Sequence, residues 1–187
     1  SNSKSYVVHL SCRESLETVK IAREKNIDMI VETCPQYLLL EDNLYNKDKF
    51  EGAKYVMSPP LRKKEDINYL WEGLSSGDIQ TVGTDHCSFN FKGQKDLGID
   101  DFSKIPNGAP GVEHRLALLY TYGVLENRIS VNKFVEVTST NAAKIFGMYP
   151  KKGEIAVGSD ADIVILNINK EETISYKTQK QNVDYTP

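Results

Sequence analysis

Cysteine is scarce in this 187-residue chain and spaced without pattern. Cys12, Cys34 and Cys87 form no C-x-x-C pair, which excludes a disulfide scaffold, disfavours a structural zinc ribbon and reads as reduced thiols in a cytoplasmic protein. No apolar run is long enough to span a bilayer, so no membrane segment is expected. Charge of one sign is lacking too: 23 Lys+Arg face 26 Asp+Glu, a net charge of -3. Without a basic stripe the surface is poorly suited to nucleic acid and better suited to a small neutral ligand. There is no internal repeat and no low-complexity segment. The opening Ser1-Asn2-Ser3 has neither an initiating Met nor a charged-then-apolar leader, and reads as an imposed boundary rather than a signal peptide. What is present, 40% hydrophobic and 26% charged residues, is the composition of one globular domain, for which about 100–200 residues is usual.

Strand and helix alternate along the chain. Tyr6 to Leu10 is short, β-branched and apolar on both faces, as in a strand of a buried parallel sheet. Ser11 and Glu14 have the spacing of a capping box, which predicts a helix from Ser11 through Lys25, ended by Asn26. Ile27 to Thr33 reads as a second strand, stopped by Cys34-Pro35. Around Asn46 to Gly52 lies a polar loop, followed by Tyr55-Val56-Met57 and the extended turn Ser58-Pro59-Pro60. Ile67, Leu70, Trp71 and Leu74 recur at helical spacing before Gly77, and Ile79 to Gly83 is a further strand. Residues 88–111 form a long loop, with a turn at Ile105-Pro106-Asn107-Gly108. Helices are expected at Val112 to Leu125, Val131 to Ser139 and Asn141 to Phe146. After Gly153, the Gly158-Ser159-Asp160 turn and Ile163 to Leu166 predict β structure, and the tail from Asn169 reads as polar and loose.

Strands separated by helices imply βαβ units and a parallel α/β sheet, where function gathers at the carboxyl ends of the strands. His9 ends the first strand and Asp85 follows the last. A histidine there can ligate metal, and a carboxylate beside a metal can bind it or carry a proton; equally, His9 could be a core histidine and Asp85 a turn or capping residue. His86 points away from Asp85 on an extended strand, which suggests a packing role. Cys34 and Cys87 read as small buried hydrophobes, and His114 beside Arg115 as structural. Ser58 and Asn107 sit in rigid turns whose backbone groups could hydrogen-bond a planar amide, though turn chemistry alone explains both.

Val7-Val8-His9-Leu10-Ser11, Glu32 to Leu38, Tyr55 to Arg62, Gly83 to Phe89 and Phe91 to Lys95 together resemble the dihydropyrimidinases and D-hydantoinases, metal-dependent cyclic amidohydrolases. Ile105 to Gly108, Ser139 to Gly147, Lys151 to Gly153 and Gly158 to Asp162 continue the likeness in order over nearly the whole chain. The resemblance implies an α/β fold: the sixth to eighth βα units of a TIM-like (β/α)8 barrel in residues 1–150, with extra helices. Residues 151–187 would then return toward a small β-sandwich domain with one strand and a polar tail. It further implies that His9 and Asp85 ligate zinc, two ions per site in the full-length parent, and that Asp85 shuttles the proton. Ser58 and Asn107 would hold the imide of the ring through their backbone. The implied reaction of pyrimidine catabolism is hydrolytic opening of a dihydropyrimidine or hydantoin: activated water attacks the ring carbonyl, a metal polarises its oxygen, and Asp85 passes the proton to the leaving nitrogen. The His-x-His pair, the carboxylated lysine and a further histidine of such enzymes have no counterpart here, and Glu113-His114-Arg115 replaces their usual Glu-Asp-Arg. A complete barrel needs about 250 residues, so the chain reads as a C-terminal fragment, inactive alone and weak in metal binding, with strand edges covered by homo-oligomer formation. The alternative is a non-catalytic, structural or signalling protein of the dihydropyrimidinase-like, collapsin response mediator kind.

Overall fold

A computed structural model describes residues 3–187; the Ser1-Asn2 opening, read above as an imposed boundary, lies outside the described residues. Three parallel strands form one sheet in chain order: β1 (Ser5–Val7), β2 (Met29–Thr33) and β3 (Thr81–Val82). Ser5 pairs with Met29 and Val7 with Val31, then Glu32 with Thr81 and Thr33 with Val82. Ile30, Val31 and Thr33 are buried because β2 has a neighbour on each side and helices cover the sheet, as the continuous apolar run predicts.

Helix α1 (Arg13–Glu24) joins β1 to β2 and packs beside α3 (Lys64–Ser76). The expected Ser11–Glu14 capping box does not form: Cys12 occupies the cap and makes no side-chain cap bond. Asp66 of α3 takes that role from a distance, accepting from the Arg13 N–H at 2.8 Å and from its own helix entrance at Lys63 N–H. Buried Ser11 instead accepts from Arg62 Nε at 3.2 Å. Ile67, Leu70, Trp71 and Leu74 are all buried, and Gly77 ends α3 at φ 90°, a left-handed conformation that favours glycine.

Pro35 both stops β2 and opens the short helix α2 (Pro35–Leu39) at a position where its missing N–H costs nothing. Tyr55 ends a 3₁₀ turn over Glu51–Tyr55, and Val56-Met57 beyond it pairs with no strand among the described residues. The later helices fall inside the expected spans but widen. Helix α4 (Arg115–Leu119) starts after Val112 and continues as a π-helical stretch, Tyr120–Leu125. Helix α5 (Val131–Val135) runs through a second one, Glu136–Thr140, into α6 (Asn141–Ile145).

Two expectations fail beyond Gly153. Ile163 to Leu166 forms no strand; Ile165 is 90% exposed, because a strand needs a ladder partner and none of the described residues supplies one. Nor is the tail loose. Val183 and Tyr185 are buried, and Tyr185 Oη donates to the Lys54 carbonyl. Asp184 accepts from the N–H groups of Phe91 (2.6 Å) and Lys92 (2.9 Å). Glu113 accepts from the N–H groups of Gln181 and Lys180, which hold its carboxyl below the usual range. Asp184→Ala is therefore expected to speed tryptic cleavage between Lys170 and Lys180 about fivefold. Digestion time courses followed by mass spectrometry check this, and an unchanged rate would refute the anchor.

Candidate functional site

His9 lies just past β1, half-buried, and Asp85 just past β3, exposed. Both adopt left-handed backbone, φ 41° for His9 and φ 48° for Asp85. Non-glycine residues rarely do so, and such strain concentrates at functional positions. The sheet ladder continues around them: Leu10 N–H donates to the Glu32 carbonyl at 2.8 Å, and Gly83 N–H donates to the Thr33 carbonyl at 2.9 Å. The chain is thus fixed just after His9 and just before Asp85, which helps to hold each strained residue in place.

Below Asp85 the sheet interior carries a polar chain. Tyr6 Oη donates to Glu32 at 2.9 Å and lies 2.7 Å from the Thr81 hydroxyl. Burial, with the Glu32 charge adding to it, pushes the Tyr6 phenol up to about 12. A Cβ on Gly83 would come within 2.7 Å of the Glu32 carboxylate, so a larger residue there would have to displace that side chain. Cys34 is fully buried, and burial pushes its thiol far up, which fits an inert role. Cys87 differs from expectation: it is exposed, because the chain has left the sheet by that point. His86 lies beyond the strand and is exposed rather than packed, its Nδ1 accepting from the N–H groups of Gly111 and Val112.

Three loop segments are laced into one rim at this end of the sheet. His86 bridges to Ala109, and Cys87 N–H donates to the Ala109 carbonyl at 3.2 Å. Gly108 N–H donates to the Val56 carbonyl at 3.0 Å, and Ser58 Oγ donates to Asn107 Oδ1 at 3.3 Å. Tyr37 Oη holds the Pro59 carbonyl at 2.9 Å from beneath. Gly108, at φ 149°, sits so close that a Cβ would lie 2.4 Å from the Cys87 carbonyl oxygen. The structure therefore brings Ser58 and Asn107 together, on a rim joined to the segment after Asp85; His9 stands apart, at the end of β1 across β2. Among the described residues, the backbone N–H and C=O of both Ser58 and Asn107 remain free of hydrogen bonds.

One participant was missed. Lys95 is fully buried, its Nζ 3.0 Å from both the Val56 and the Pro106 carbonyls. Burial pushes its ammonium down to about 8. Nothing in local spacing separates this lysine from Lys92, which is exposed.

Imidazole and carboxylate are suitable donors for zinc, but a catalytic zinc takes about three protein ligands. Among the described residues no group of three or more His, Cys, Asp and Glu side chains could hold a metal.

A parallel α/β sheet gathers its ligand-binding groups at the carboxyl ends of its strands, which is where His9, Asp85 and the rim lie. The chain belongs to the amidohydrolase family, whose sequence profile matches residues 4–186. More narrowly, it is 51% identical over 187 residues to a D-hydantoinase of Geobacillus stearothermophilus, covering 100% of this chain and 40% of that protein. Among solved structures, D-hydantoinase from a Bacillus sp. AR9 superposes with a TM-score of 0.97 at 55% identity, covering 100% of this chain and 41% of that one. Dihydropyrimidinase from Brevibacillus agri NCHU1002 gives 0.96 at 53% identity, with 98% and 40% covered. The chain thus spans about two-fifths of the length of these relatives. No helix among the described residues is long and apolar enough to cross a membrane.

Proposed function

We propose that this chain supplies the sixth to eighth βα units of a (β/α)8-barrel cyclic amidohydrolase that opens dihydropyrimidine or hydantoin rings. Residues 1–150 would form the barrel part and residues 151–187 the return to a small β-sandwich. The observation that carries the reading is the pair of free peptide groups at Ser58 and Asn107, held side by side on a rim that continues from Asp85. A cyclic imide alternates C=O, N–H and C=O along one edge, and free backbone N–H and C=O groups match that pattern. Asp85, exposed at the strand end, accepts the proton released when water adds to the ring carbonyl and returns it to the leaving imide nitrogen, so that the C–N bond breaks to a carboxylic acid and a neutral carbamoyl group.

His9 and Asp85 are the donors this segment contributes to a zinc site completed by residues elsewhere in the intact protein. Zinc, two ions per site, supplies Lewis-acid polarisation when bound. The 187 residues alone hold too few donors and are inactive in this reading, which also makes the intact protein a cytoplasmic homo-oligomer of pyrimidine catabolism. The hydantoinase and dihydropyrimidinase names of the relatives favour an enzyme over a non-catalytic relative.

The zinc-loaded intact protein is expected to hydrolyse 5,6-dihydrouracil or hydantoin, followed by loss of ring absorbance. His9→Ala is expected to cut metal content by at least half in elemental analysis, with circular dichroism unchanged. Absence of ring opening with both substrates would overturn the proposal, and full zinc content in His9→Ala would remove His9 from the ligands.

A further inference from the structure

We propose that Lys95 is a positioning residue that sets the two turns carrying Ser58 and Asn107 and so aims the peptide groups that receive the ring. This rests on the reading of those turns as the substrate-binding edge. Lys95 is fully buried and makes no ion pair among the described residues; its Nζ donates only to main-chain carbonyls, Val56 and Pro106, each at 3.0 Å. A buried ammonium without a carboxylate is costly, and a methionine of similar length would fill the same space without that cost. What only the lysine offers is a pair of strong donors diverging from one atom.

Those donors act on orientation. The Pro106 carbonyl and the Asn107 N–H belong to one planar trans peptide unit, so they point in opposite directions. Drawing the carbonyl inward onto Nζ therefore turns the Asn107 N–H outward. The Val56 carbonyl receives Nζ and the Gly108 N–H together, which locks the strand of chain before Ser58 to the chain just after Asn107. One side chain thereby fixes the separation and the tilt of both turns. The Lys95 main chain is itself held, its N–H donating to the Asn90 carbonyl at 3.1 Å, so the clamp has a firm base.

The test compares the intact protein with Lys95→Met and Lys95→Gln, measuring steady-state kinetics on dihydrouracil and hydantoin and amide hydrogen exchange by mass spectrometry. Loss of charge-assisted bonds that only place the substrate edge is expected to raise KM about 10- to 100-fold while kcat changes less than about threefold. Lys95→Gln, which retains an N–H donor, is expected to recover part of the KM loss. Exchange should rise in peptides covering 55–60 and 104–109 and stay level in α3. Unchanged KM in both variants overturns the proposal, as does a rise in exchange spread over the whole segment, which marks a merely structural lysine. If the unsubstituted protein opens neither ring, the functional reading falls. The exchange arm still decides whether Lys95 fixes the turns, with unchanged exchange at 104–109 refuting it. Should Lys95→Met fail to fold, Lys95→Gln decides on the same readouts.

Discussion

Asp85→Asn is expected to lower kcat of the intact protein for ring opening by about 10²- to 10⁴-fold, the usual contribution of a positioned general acid–base group. The substitution removes the carboxylate as proton carrier and as zinc donor, so zinc content is measured beside turnover, but it leaves the backbone undisturbed. Asparagine tolerates left-handed backbone nearly as well as aspartate, so the φ of 48° at this position need not change. Alanine there would add backbone strain to the loss of the carboxylate and confuse the two effects. Circular dichroism and substrate binding should stay close to those of the unsubstituted protein while turnover falls. A variant keeping more than about a tenth of the activity would remove Asp85 from the proton path.

The largest effect on stability is expected from Trp71→Ala, about 3–5 kcal/mol. Trp71 is 3% exposed, and its indole N–H donates to the Leu38 carbonyl at 2.9 Å, tying α3 to the end of α2. The Arg128 guanidinium lies 5.5 Å from the ring centroid, and a Cβ on Gly123 would press within 3.0 Å of the indole, so the π-helical stretch after α4 closes over it. Truncation opens a cavity between these helices and leaves a buried carbonyl without its donor. Trp71→Phe, which keeps most of the volume, should cost about 1–2 kcal/mol. Urea denaturation read by circular dichroism measures both; a loss below about 1 kcal/mol for the alanine variant would show that the helices repack freely.

How far the sequence reveals this arrangement depends on the range of the contacts involved. The β2 strand and the α3 stripe are legible because alternation and helical spacing are local, and the burial of Ile67, Leu70, Trp71 and Leu74 follows that spacing. The start of α1 is not legible, because Asp66, far along the chain, satisfies the N–H that Ser11 and Glu14 were expected to serve. Ile163 to Leu166 has strand composition, but composition cannot provide a partner for its hydrogen bonds. Asp184 in the tail, and Glu113 ahead of α4, look like solvated charge until their carboxylates are seen gripping main-chain N–H groups. At the candidate site, the strand-end positions of His9 and Asp85 follow from the βαβ pattern. The meeting of Ser58 with Asn107, and the buried lysine behind them, belong to loops whose long-range closure no local rule describes.

That difference in range has a consequence for the order in which parts of the molecule come and go. The sheet joins segments that follow one another along the chain, with each strand beside the next, so it can assemble as the polypeptide emerges. The rim is closed by longer reaches, Val56 to Gly108 and Phe91 to Asp184, and must wait for residues made much later. In the finished protein the same hierarchy predicts that amide exchange at the rim outpaces exchange in β1, β2 and β3, because the rim rests on a few loop hydrogen bonds.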